Sequence, residues 1–287
     1  GANGIISGSG IVAAGNLTWI AQSQPSDSTW LYNNVSGNVT GIGNDIVLTR
    51  TVTTGVNSLT TKSGNITVTI NGTGNATPAV ANLVLNGDVT AGPNNSGNVT
   101  LNVANDSIST TGGSIYGGNL VIDSLHNVNV STSVDQLVAN IGGAGNSLTV
   151  LENSSLSIGS ANVITNNGAI TINLASGNLS ALGQINAGTG NVTLNATAGG
   201  IDINSSLSYD QIVGNQFIVL AQNSTSLRTK VNSLQAKISG SGESLLVAEY
   251  DGFSVSSGNV ATSNGDITIV TGLQAAGDLV LTGNVTS

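Results

Sequence analysis

The sequence predicts an all-β fold: a parallel β-helix, or β-solenoid, of about a dozen coils running through residues 1–287 as one array. Three observations predict it. The chain writes one stretch twice: Thr132–Asn173 lies over Thr229–Val270 at an offset of 97 positions without a gap, and 21 of the 42 pairs are identical. What repeats is alternating apolar residues and the turns between them, as in Leu148/Leu245, Val150/Val247 and Glu152/Glu249, while outward positions drift, as in Val138 to Gln235. The composition is 39% hydrophobic but only 3% aromatic and 7% charged. Charge is well below the roughly 25% of an ordinary domain, and Val, Ile, Leu and Thr in alternation read as strand rather than disorder.

Taken in order, residues 1–18 begin in phase, with Gly10 to Asn16 as strand and turn. Residues 19–33 break the phrase and read as a loop excursion that gathers Trp19, Pro25, Trp30 and Tyr32. From there the triplet Ser/Thr-Gly-Asn recurs at 36–38, 63–65, 73–75, 96–98, 176–178, 189–191, 257–259 and 282–284. Gly accepts positive φ and Asn tolerates the left-handed region, so each triplet predicts a corner. The next residue points inward, the Thr after it points out, and stacked corners let Asn side chains form ladders. The phrase Gly277 to Thr286 recurs at Asn82 to Thr90 and more loosely at Asn178 to Asn186, which gives three imperfect units near 97 residues. One segment stays open between two periods. Val134, Leu137 and Ile141, like Val231, Leu234 and Ile238, stand at helical spacing, yet Leu137, Ala139 and Ile141 alternate as a strand.

Composition also excludes functions. The net charge is −9 with five basic residues, so no basic stripe exists for a nucleic-acid backbone. No apolar run approaches the ~20 residues of a membrane span. The absence of Cys removes disulfides and thiolate metal sites. The chain starts at Gly1 without signal-like regions, the expectation for a processed product or an excised piece.

The corner phrases Ser96-Gly97-Asn98-Val99-Thr100-Leu101 and Ser263-Asn264-Gly265-Asp266-Ile267-Thr268-Ile269 resemble the repeats of filamentous-haemagglutinin-like adhesins. The resemblance covers most of the chain except 19–33 and parts of 200–230. It implies a right-handed parallel β-helix belonging to a large exported bacterial surface protein. The secretion domain of that family, with its own motif, is not evident here.

Candidate chemistry is sparse. No catalytic, cofactor-binding or metal-ligating set is expected. Glu249-Tyr250-Asp251, the best local carboxylate cluster, reads as exposed corner residues because its repeat partner is Glu152-Asn153-Ser154. Arg228, Lys230 and Lys237 replace Ser131, Ser133 and Asn140 of the first copy and read as a solvated face. His126 has no metal-spaced neighbours, and Gly8-Ser9-Gly10 and Gly142-Gly143-Ala144-Gly145 lack the Lys-Ser/Thr of a phosphate loop. Trp19, Trp30 and Tyr32 are the candidate carbohydrate contacts, with covering a coil as the competing use. Seventeen sequons, among them Asn16, Asn34, Asn38, Asn65, Asn71, Asn75, Asn98, Asn191, Asn195 and Asn284, mark either glycosylation sites or the way this chain turns a corner.

The expectation is a non-enzymatic extracellular protein without a cofactor. It would be a stiff segment of a surface adhesin, or a filament subunit stacked end to end with copies of itself. Glycans or proteins of a host or neighbouring cell are the other partners expected. A polysaccharide-binding or polysaccharide-degrading β-helix is the alternative, and ice binding through outward Thr rows is a third.

Overall fold

The computed structural model describes residues 6–8, 17–20, 28–32, 38–50, 53–71, 82–203, 211–255, 259–273 and 275–287. The fold is all-β, with one 3-10 turn at Pro93–Asn95 as the only helical element among the described residues. The chain divides into two compact units, Gly1–Gly143 and Ala144–Ser287.

In the first unit the strands pair in parallel and stack in register on three ladders. One carries Ile46, Ile66, Val99, Leu120 and Leu137. Another carries Thr54, Leu83, Ile108 and Val128. The last carries Leu59, Val89, Ile115 and Thr132. All of these residues are buried. Each parallel neighbour sits ~4.8 Å away, so most inward side chains meet a branched aliphatic above and below, with Thr54 and Thr132 as the exceptions in these ladders. Burial of each Val, Leu or Ile contributes about 1.5–3 kcal/mol against the cost of ordering the chain.

The second unit repeats the arrangement. Leu148, Ile170, Val192, Phe217 and Leu234 form one ladder. Val163, Ile185, Ile212, Thr229 and Glu249 form another. Leu156, Leu179 and Ile201 begin the remaining one, which continues through Thr225 to Leu245 and Ile267. The step from Leu148 to Ile170 to Val192 is 22 residues each time.

The segment left between two periods is strand in both copies, within Val128–Ile141 and Thr225–Ser241. The structure also explains the false helical period. Val134 and Leu137 are buried while Asp135 and Gln136 between them are exposed, so the strand bends round a corner there and skips one alternation. Asn232 and Ser233 do the same between Val231 and Leu234. A corner inside a continuous strand mimics an i, i+3 spacing.

Two expectations are corrected. The excursion at 19–33 is not a loop throughout: Leu17–Ile20 and Ser28–Tyr32 are strands that pair in parallel with Asn38–Gly43 and Asp45–Arg50. Thr18-Trp19-Ile20 and Thr29-Trp30-Leu31-Tyr32 are β-branched and aromatic, which suits a strand; the Pro-, Asp- and Ser-bearing stretch 21–27 and residue 33 lie outside the described residues. The 97-residue offset and the strand register do not coincide. Four steps up the ladder from Leu148 stands Leu234, 86 residues on, so its repeat partner Leu245 falls on the next ladder round.

The corner glycines also act differently from expectation. Among the described triplets only Gly177 takes positive φ, at 79°. At Gly97 the constraint is proximity: a Cβ there would lie 2.2 Å from the carbonyl oxygen of Gly64 in the coil below. Gly97→Ala is therefore expected to cost about 1–3 kcal/mol, through overpacking against backbone that cannot rotate away. Gly118→Ala, whose Cβ would meet its nearest atom at an ordinary 3.4 Å, should leave the thermal midpoint nearly unchanged. Thermal unfolding of the two variants checks the contrast.

Candidate interaction surfaces

The corners carry a ladder of side-chain acceptors. Asp45 Oδ1 accepts the Asn65 amide N–H at 2.7 Å, Asn65 Oδ1 that of Asn98 at 2.8 Å, and Asn98 Oδ1 that of Asn119 at 3.2 Å. In the second unit Asn178 Oδ1 accepts the Gly200 N–H at 2.8 Å, and Asn191 Oδ1 accepts the Gln216 N–H at 3.2 Å. Each bond satisfies a backbone donor at the start of the next coil's strand, where the chain has just turned and no strand partner reaches it. Asn98→Ala should thus destabilise by about 1 kcal/mol, and Asn98→Asp, which keeps the oxygen, by less. Urea midpoints of the two variants would separate these outcomes.

The sequon residues divide by place. Asn65, Asn71, Asn98, Asn191 and Asn284 are exposed, Asn38 and Asn195 are half-buried, and Asn16, Asn34 and Asn75 lie outside the described residues. Trp19, Trp30 and Tyr32 are in strands, with Trp19 in register with Gly41, Trp30 with Val47 and Tyr32 with Thr49. They therefore stand on paired backbone and do not share one loop.

Glu249 overturns the reading of an exposed corner cluster. It is fully buried, as is its repeat partner Glu152. The Thr229 hydroxyl donates to Glu249 Oε2 at 2.5 Å and the Val231 N–H to Oε1 at 3.2 Å. Burial pushes its carboxyl up to about 8, against the two hydrogen bonds that favour the anion, and Asp251 pushes the same way as burial. Glu152 Oε1 accepts the Ser154 N–H at 2.9 Å and its hydroxyl at 2.7 Å. Both positions follow Leu-x-Val-x and so fall in the inward phase, a signal the alternation itself carried. Arg50 is the other inward ionisable group: it follows Ile46 and Leu48 in phase, and burial lowers its guanidinium to about 10.

The remaining cationic and metal candidates stay apart. His126 is exposed, and among the described residues no group of three or more His, Asp or Glu comes together to hold a metal ion. Lys230 Nζ lies 4.6 Å from the Tyr250 ring centroid, while Lys237 is exposed on the face of Gln235. An outward Thr row runs through Thr149, Thr171 and Thr193 and is then interrupted by Ile218 and Gln235, too short for a flat array.

One exposed apolar feature lies at Leu279–Leu281 and Val285. Leu279–Leu281 and Val285–Thr286 stack on Phe253–Val255 and Val260–Ser263 by one edge. Leu279, Leu281 and Val285 are in the inward register yet 36%, 55% and 39% exposed, where Phe253, Val255 and Val260 beneath them are buried. Backbone donors and acceptors on the other edge add the pairing chemistry of a sheet margin.

Comparison with protein-family models, with curated proteins and with solved structures finds no match. Among the described residues no helix is long and apolar enough to cross a membrane.

Proposed function

We propose that this chain is a structural, adhesive protein of the extracellular surface, built as right-handed parallel β-helix within each compact unit. It serves as a stiff segment of a surface adhesin or as a filament subunit whose coils join end to end. The observation that supports this reading is the in-register stacking of parallel strands, in which each strand satisfies the backbone edge and covers the inward aliphatics of the one before it. A further parallel coil of the same alternating phrase satisfies both at once, as Leu179–Ala181 is covered by Ile201–Ile203 within the second unit. Its partners in this reading are copies of itself, or glycans and proteins on a neighbouring cell. No catalytic step enters.

Light scattering and negative-stain imaging of the purified chain at rising concentration test the reading. Threads of uniform width are expected, and Leu281→Lys should abolish them while leaving the circular dichroism intact. Single particles at every concentration would sink the filament form. Turnover of a polysaccharide by the purified chain would sink the non-enzymatic one.

A further inference from the structure

We propose that the second unit holds a groove that binds a neutral oligosaccharide, independently of end-to-end stacking. The groove is a depression of about 610 Å³ on the outer side of the ladder that carries Leu245 and Ile267. Its floor is a column of outward residues in register, Asp202, Ser226, Leu246 and Thr268. Successive members stand ~4.8 Å apart, close to the spacing of rings along an extended glycan. The wall is a corner ladder in which Ser224 Oγ accepts the Ser244 N–H at 3.0 Å and Ser244 Oγ accepts the Asp266 N–H at 3.3 Å. Glu243 stands on the rim with Oε2 fixed by the Ser224 N–H at 2.7 Å and the Ser224 hydroxyl.

The chemistry selects the ligand class. Carboxylates at Asp202 and Asp266 and hydroxyls at Ser226 and Thr268 accept and exchange hydrogen bonds with sugar hydroxyls. Leu246 is the one apolar side chain in the outward column and offers a surface to the C–H face of a ring. No cation lines the depression, so uronates and sulfated glycans meet repulsion from Asp202 and Asp266. The groove also belongs to one copy of the repeat. Leu246, Asp266 and Glu243 stand where the first copy has Thr149, Ala169 and Asn146. Those replacements bring one carboxylate and an apolar contact to the depression, and a second carboxylate against Ser224 in its wall.

The test titrates the isotopically labelled full chain with neutral hexasaccharides (β-1,3-glucan, β-1,4-glucan, β-1,4-mannan and chitin fragments) and with oligogalacturonate. Saturable amide shifts are expected at 202, 224–226, 244–246 and 266–268 with at least one neutral member. Oligogalacturonate should give none. The double variant Leu246→Thr, Asp266→Ala installs the residues that the first copy already folds with. It should weaken binding roughly tenfold, the loss of about 1.4 kcal/mol. No shift with any neutral member, equal binding of oligogalacturonate, or unchanged affinity in the double variant overturns the proposal.

Discussion

Raising the pH from 4.5 to about 8 is expected to lower the stability of the second unit, and Glu249→Gln should flatten that fall. The buried Glu249 carboxyl keeps its proton up to about 8, whereas in the unfolded chain it releases it near the ordinary value of 4.5. Below 4.5 both states are protonated and the stability is fully present. Between 4.5 and 8 the unfolded state binds fewer protons than the folded one, so stability falls with a slope of up to about 1.4 kcal/mol per pH unit. Above 8 both states are ionised and the curve levels. Glu243 has the opposite sense, because the Ser224 hydroxyl and amide hold its carboxyl low and its contribution is lost on acidification. The difference between wild type and Glu249→Gln isolates the buried group. Gln keeps one oxygen to accept the Val231 N–H, and its amide donates to the Thr229 hydroxyl, which accepts in place of donating. At pH 8 the variant should be more stable by about 2 kcal/mol, or roughly 4–8 °C in thermal midpoint. Parallel pH curves for the two proteins would mean that Glu249 does not titrate in this window.

Phe217→Ala should be the most damaging single truncation. Phe217 is fully buried between Val192 below and Leu234 above, and Gly214 in its own strand lies close to Val192. Neighbouring strands are fixed by their pairing, so they cannot sink into the space a lost ring leaves. The cost is expected at about 3–5 kcal/mol. Because each strand is held by the strands it pairs with, the loss should appear first as faster amide exchange in Val192–Ala196 and Thr225–Ser241, the strands on either side. Leu220→Ala, three residues on but outward and exposed, should cost less than about 0.5 kcal/mol. Hydrogen exchange on the two variants distinguishes a local from a global loss.

Much of the fold was legible because the ladders obey one rule. Val99, Leu101 and Val103 alternate with Thr100 and Asn102, and each inward residue is buried as its phase requires. The acceptor ladder of Asn65 and Asn98 was also legible, since a corner repeated in sequence must repeat in space. What sequence reasoning lost was lost for stated reasons. Period two places Glu152, Glu249 and Arg50 inward, but their charge argues for solvent, and the backbone phase prevailed. Val134 and Leu137 imitated a helix because a corner without a turn residue leaves no Gly or Pro to mark it. The role of Gly97 depends on Gly64 in another coil, a distance no local motif encodes. The groove was not legible at all, because Asp202, Leu246 and Asp266 become neighbours only through registers of about twenty residues.

The misfit between the 97-residue offset and the strand register has a consequence for the surface. A duplicated segment that set Leu245 on a different ladder from Leu148 would ruin most architectures, since a compact core accepts each side chain in one place. Here each ladder asks for the same two-beat phrase, so a repeated segment need not return to the ladder it started on. The repeated stretch thus keeps its inward residues buried while its outward ones face a different side, as Leu246 does relative to Thr149.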